Sequence, residues 1–182
     1  AMRATVYAGA LALALCAACG GGGMAVEGAW MRPVAEPDLG VAGMEYLTFA
    51  SDSTFTVVNE MTLEYEDSVF GCSLGFRTRV SGRRFDRDGA LELVYSPESF
   101  ELDTVAGRVA ISAVAGVLPE AVRNAMAADL MRGLSEYYRS VYEEFSSSPG
   151  LVLERPAVSG DVFGALSGDS VAVRWTRSVR GE

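Results

Sequence analysis

Residues 54–80 read TFTVVNEMTLEYEDSVFGCSLGFRTRV, and their spacing decides the fold. In the first half the apolar side chains fall on odd positions: Phe55, Val57, Met61, Leu63 and Tyr65, with Asn59 the one polar interruption. Threonine and glutamate take most of the even positions. After Glu66, Asp67 and Ser68 the apolar set moves to Phe70, Cys72, Leu74, Phe76 and Val80. Gly71, Ser73, Gly75, Arg77 and Arg79 stand opposite. Alternation at period two predicts strands with one buried face, and the short polar turn between them predicts an antiparallel hairpin. Pairing the two inner faces sets Glu60 opposite Arg77 on the outer face, a cross-strand charge pair worth at most ~1 kcal/mol.

The same hairpin contains GCSLG, residues 71–75, which spells G-x-S-x-G. A nucleophile elbow with that pattern needs a strand, a tight turn and a helix, with the serine exposed at the turn. Here Ser73 falls in mid-strand on the face away from the core. The chain also contains no histidine and no lysine, so neither usual base for a serine nucleophile exists. The glycines read instead as places where another element approaches the outer face closely.

Working outward, residues 44–50 form an earlier strand, and Ser51, Asp52 and Ser53 turn the chain. Arg83, Arg84 and Phe85 are extended. Asp86-Arg87-Asp88-Gly89 reads as a hairpin turn; as a calcium loop it lacks the next oxygen ligand and a closing glutamate. Leu91, Leu93 and Tyr95 alternate on the next strand, which Ser96, Pro97 and Glu98 are expected to break. Residues 100–105 and 108–114 read as a further hairpin around Ala106 and Gly107. Pro119 then opens a long helix near residues 119–146. Val122, Met126, Leu130, Leu134, Tyr137, Val141 and Phe145 form its apolar stripe at spacings of three and four. Three serines, Pro149 and Gly150 stop it. Strands near 151–155 and 161–166 and a last one over VAVRWTR complete the chain. The total is eight or nine strands with one late helix. Closure into an antiparallel barrel removes exposed edges, and a two-sheet sandwich is the alternative.

The 182-residue length favours one domain. The net charge is -9, and all fifteen basic residues are arginines, so nucleic acid is not an expected partner. Without histidine, and with three cysteines of which two are spent near the start, no Cys/His metal cluster is expected. The opening AMRATVYAGALALALCAACGGGG has one arginine and then an apolar run over residues 6–18. That run falls short of the ~20 residues that span a bilayer and has the form of a signal peptide. Ala17 and Ala18 before Cys19 resemble the lipobox of bacterial lipoproteins, although Cys16 stands where leucine is typical. The resemblance implies a signal peptide over 1–18 and acylation of Cys19. Cys16, preceded by the large Leu15, is the competing site, and a plain signal peptide cut near Ala18 is the alternative. A glycine-rich tether over 19–27 then leads to a domain over 28–180. The absence of an aspartate after Cys19 implies, by the same resemblance, the outer membrane. Cys72 is then the remaining thiol, with a packing role.

Gly28-Ala29-Trp30 resembles the G-x-W at the start of lipocalins. The succession of hairpins, late helix and short final strands is similar to lipocalin-like lipoproteins of diderm bacteria, as are the stretches YLTFASDSTFTVVNEMT and FDRDGALELVYSP. The resemblance covers most of residues 27–177. It implies an all-β, up-and-down lipocalin-like barrel of about eight strands with an added helix, an envelope location, and a cavity for an apolar molecule. It implies no reaction. It also implies an arginine of the last strand beside Trp30, either Arg174 or Arg177. One departure stands out: here the helix precedes two or more final strands, where a lipocalin helix usually precedes one.

The functional expectation is therefore a membrane-tethered, non-catalytic barrel without cofactor that binds a small apolar ligand. Its expected interior lining is Asn59, Met61, Leu63, Tyr65, Phe70, Leu74 and Phe76. The alternative is an interaction module of the envelope with a filled barrel, docking a protein partner or its own helix on the strip of Gly71, Ser73 and Gly75. The paired carboxylates, Glu64 with Glu66 and Glu143 with Glu144, read as solvated charge rather than as an acid–base pair.

Overall fold

The computed structural model describes residues 26–113, 116–168 and 171–179, the side chains of residues 106 and 107 excepted. The expected signal segment, Cys16, Cys19 and most of the glycine-rich tether lie outside the described residues. Eight antiparallel strands follow one another around a closed barrel: β1 (Gly28–Glu36), β2 (Val41–Phe49), β3 (Thr54–Glu66), β4 (Phe70–Arg87), β5 (Ala90–Ala113), β6 (Leu151–Ser159), β7 (Val162–Ser167) and β8 (Val171–Arg177). One helix, α1 (Glu120–Glu144), lies between β5 and β6.

The β3–β4 hairpin has the expected register. Glu60 faces Arg77, Met61 faces Phe76 and Leu63 faces Leu74. Polar side chains shape the turns. Asp52 Oδ1 accepts from the N–H and the hydroxyl of Thr54 at 3.0 and 2.6 Å. Asp67 Oδ1 accepts from the N–H groups of Val69 and Phe70 at 2.6 and 2.9 Å. Asp88 and Gly89, at φ 50 and 79°, make the tight turn between β4 and β5. Positive φ at both central residues matches the right-handed twist of the strands, and Asp-Gly supplies it at low cost.

Three expectations differ. The sheet begins at Gly28, not Met44, because β1 pairs with the whole of β2, from Gly28–Phe49 to Glu36–Val41. β5 is one 24-residue strand rather than three, with neither the break at Ser96–Glu98 nor the hairpin at Ala106 and Gly107. Its turn-like residues are absorbed as bulges: Arg79 pairs Glu101 but Ser81 pairs Ser96, and Leu74 pairs Val109 but Phe76 pairs Thr104. An 18-residue β4 runs alongside throughout, so the excess residues loop out locally while the pairing resumes. Ser99 fixes the first bulge, its hydroxyl donating to the Ser96 carbonyl at 2.7 Å and accepting from Ser81 N–H at 2.9 Å. The third difference is which tyrosines of α1 turn inward, described below.

Closure rests on two short seams. β1 meets β8 only at Trp30–Arg177 and Met31–Thr176, and β5 meets β6 only over Leu91–Leu93 with Leu151–Leu153. The segment that follows α1 extends the second seam: the Phe145 carbonyl accepts from Tyr95 N–H at 3.0 Å, and the Glu92 side chain accepts from Gly150 N–H at 3.1 Å. At the first seam, Arg177 rather than Arg174 covers Trp30, with its guanidinium 4.0 Å from the ring centroid and donating to the Glu27 carbonyl at 2.8 Å. This explains Gly28. Its φ is +113°, and a Cβ there would collide with the Arg177 guanidinium.

Candidate functional site

The inward face of the barrel is layered. Trp30, Phe49, Phe55 and Phe163 fill one end, all fully buried. Trp30 and Phe163 lie 5.6 Å apart, Phe49 meets Phe163 edge-on at 5.8 Å, and Trp175 stacks on Phe163 at 5.0 Å. Trp30 Nε1 donates to the Val26 carbonyl at 2.8 Å, which gives the buried indole its partner. This end holds a packed core rather than a cavity.

Above it lies a polar layer. Arg32 of β1 and Glu45 of β2 are directly paired in register and both point inward. Arg32 Nε and Nη2 donate to the two Glu45 oxygens at 2.6 and 3.2 Å. Trp175 Nε1 donates to Glu45 Oε1 at 2.9 Å, and the Arg32 guanidinium lies 4.6 Å from the Trp175 ring centroid. Asn59, 6% exposed, donates through Nδ2 to Thr78 Oγ1 at 3.0 Å and to the Tyr142 hydroxyl at 3.2 Å. A half-buried ion pair survives desolvation when its hydrogen bonds are made on several sides, as here.

α1 seats across the open end. Leu134 of the expected stripe is buried and Met126, Leu130 and Phe145 pack against the core, but Val122 and Tyr137 are exposed and Tyr138 and Tyr142 are buried in addition. Spacing alone could not choose between the two overlapping faces. The difference comes from tyrosine hydroxyls finding partners inside. Tyr142 meets Asn59 and packs on Tyr95 at 5.1 Å and Phe100 at 5.6 Å. Tyr138 packs on Phe76 at 5.9 Å and donates to Glu36 Oε1 at 3.1 Å, while Tyr137 donates to Glu36 Oε2 at 2.8 Å. Burial drives the Tyr138 and Tyr95 hydroxyls well above their ordinary range, with nearby carboxylates adding to the effect. It pushes Tyr142 up to about 12. All three phenols are neutral at pH 7.

Two pockets flank this arrangement. An apolar groove of about 480 Å³ lies between α1 and the lip formed by β3 and β4, lined by Leu39, Leu63, Phe70, Met126, Leu130 and Leu134, with Gly133 in its wall and Asp129 its one charged liner among the described residues. A second pocket, also about 480 Å³, lies beneath the end of α1, against residues 32–36 of β1, an edge that β8 does not cover. Glu36 and its two tyrosine partners stand between them. A void of about 40 Å³ continues below the Arg32–Glu45 pair.

The expected lining residues divide between these regions. Leu63 and Phe70 face the apolar groove, and Asn59 and Met61 face the second pocket. Leu74 and Phe76 are completely buried in the core. Tyr65 is not inside: it is 48% exposed and donates to Asp67 Oδ2 at 2.8 Å, because β3 has run past the enclosed part of the barrel. The sequence reading missed Arg32, Glu45 and Glu36. The signal was present in Trp30, Arg32, Val34 and Glu36, where charges alternate into an apolar face.

Ser73 lies in mid-strand on the outer face, with Oγ donating to Glu64 at 2.7 Å. The neighbour that approaches Gly75 is the Arg108 side chain of β5, not α1. Cys72 is buried, and burial raises its thiol pKa, with Glu64 adding to the effect. Among the described residues no His/Cys/Asp/Glu group could hold a metal ion, and no helix is long and apolar enough to cross a membrane. No family model matches the chain, and neither does any curated protein sequence.

Proposed function

We propose that the chain is a lipocalin-like lipoprotein, tethered through Cys19 to the outer membrane, that binds an apolar small molecule without catalysis. The groove between α1 and the barrel lip carries this reading. Its lining is apolar along its length, with Asp129 its one charge among the described residues, and its volume falls within the ~300–1,000 Å³ of small-molecule sites. An acyl chain fits that chemistry: it offers apolar area and asks for no hydrogen bonds. The eight-stranded closed barrel is compatible with the lipocalin resemblance, and the aromatic core at the far end leaves the helix-covered end as the place for a guest.

The test uses protein lacking residues 1–23. We expect native mass spectrometry to find a retained apolar molecule, and a fluorescent fatty acid to bind and be displaced by palmitate. Gly133 offers the matching variant, since a Cβ there meets nothing within 4 Å and the residue lines the groove. Gly133→Trp fills the groove and should abolish fatty-acid binding. Gly133→Ala should keep it and stabilise α1 by up to ~1 kcal/mol. Bare mass together with no displacement, or unimpaired binding by Gly133→Trp, defeats the proposal.

A further inference from the structure

We propose that the second pocket, beneath the end of α1, is a separate binding site for a small organic ammonium ion. Three charged side chains line it: Arg32, Glu45 and Glu36. Arg32 is already committed, with two nitrogens on the Glu45 carboxylate and its face on Trp175. Glu36 is held by two neutral tyrosine hydroxyls and has no cationic partner among the described residues. The lining thus carries one uncompensated negative charge.

The uncharged lining has the same bias. Asn59 spends Nδ2 on Thr78 and Tyr142, so its carbonyl oxygen, on a side chain more than nine-tenths buried, is left without a donor among the described residues. Tyr95, Tyr138 and Tyr142 contribute aromatic side chains to the wall and add no positive charge. An anion here would meet two carboxylates and a carbonyl. A neutral apolar guest would leave the Asn59 oxygen unpaired, which is costly in a buried site. An ammonium supplies N–H donors to the carbonyl and to Glu36, and a short apolar body can lie on Met61, Val141, Phe145 and Leu151. The site is reached along the uncovered β1 edge, so it does not depend on what fills the outer groove.

The experiment compares three probes with the same tail: hexylamine, 1-hexanol and hexanoate, cationic, neutral and anionic at pH 7. Each is titrated by calorimetry into the full chain carrying Gly133→Trp, in non-ionic detergent at low salt, so that the groove is closed. We expect hexylamine to bind about tenfold or more tighter than either of the others. Glu36→Gln should cut that preference to about threefold or less, with the fold checked by circular dichroism. Val141→Trp, which fills the pocket from the helix, should abolish the binding. Equal or tighter binding of 1-hexanol or hexanoate, no binding of any probe, or a preference unchanged in Glu36→Gln overturns the proposal.

Discussion

If α1 is held in the barrel end by Tyr142, the ring and the hydroxyl of that residue have separable values. Tyr142 is 6% exposed, packs against three aromatic rings and is hydrogen-bonded at its hydroxyl to Asn59 and to Thr78. Tyr142→Phe keeps the packing. Asn59 Nδ2 and Thr78 Oγ1 retain each other as partners, so the loss is held to about 1 kcal/mol. Tyr142→Ala removes the ring and leaves a cavity, about 3–5 kcal/mol by comparison with other buried aromatic truncations. For a domain of this size a kcal/mol moves Tm by about 2–4 °C, so Phe should lower it by about 2–4 °C and Ala by roughly 6–20 °C. Thermal and urea melts followed by circular dichroism measure both. In the Asn59→Ala background the Phe substitution should cost less than in the parent, because one of the hydroxyl's two partners is gone and Thr78 remains. The reasoning fails if Ala costs no more than Phe, or if the cost of Phe is unchanged without Asn59.

Two further perturbations address the seams. Hydrogen bonds from Ser148 and from Gly150 N–H, with Arg87 assisting, hold the buried Glu92 carboxyl below its ordinary value of 4.5. A lowered folded-state pKa stabilises the fold above that ordinary value, and the contribution is lost as pH falls through the folded value. Glu92→Gln should therefore melt below the parent at pH 7, and the gap should narrow as pH drops below 4.5; a gap that widens on acidification contradicts the assignment. Gly28→Ala places a methyl group where Arg177 lies and forces a left-handed φ on alanine, so it should cost more than ~1 kcal/mol in urea unfolding. An unchanged urea midpoint counts against the Arg177–Trp30 cover.

Much of the barrel was legible because β3 and β4 keep strict alternation and their turns use aspartate in recognisable roles. Asp52, Asp67 and Asp88 each perform the turn chemistry that their positions suggested. The unity of β5 was not legible. Ser-Pro and Ala-Gly punctuate both hairpins and bulges, and only a partner strand of equal reach distinguishes the two outcomes. Most of the α1 stripe was legible, since Met126, Leu130, Leu134 and Phe145 do pack on the core; what was not legible is that Tyr138 and Tyr142 rather than Tyr137 turn inward, because tyrosine is apolar in body and polar at its tip. The pockets were least legible. Their polar centre comes from β1 and β2, and their walls from α1 nearly a hundred residues later, so no local pattern joins them. The apolar residues of β3 and β4, the obvious lining, were divided: Met61, Leu63 and Phe70 reach the pockets, Leu74 and Phe76 became core, and Tyr65 lies outside.

The two seams have a dynamic consequence. Strands β6, β7 and β8 hold one another through long pairings but join the remaining sheet at Trp30–Met31 on one side and Leu91–Leu93 on the other. They form a three-stranded panel on narrow hinges, and swinging it outward breaks fewer ladder bonds than parting β3 from β4. Deuterium uptake should accordingly report two cooperative blocks, with the panel exchanging first and the β2–β5 wall last.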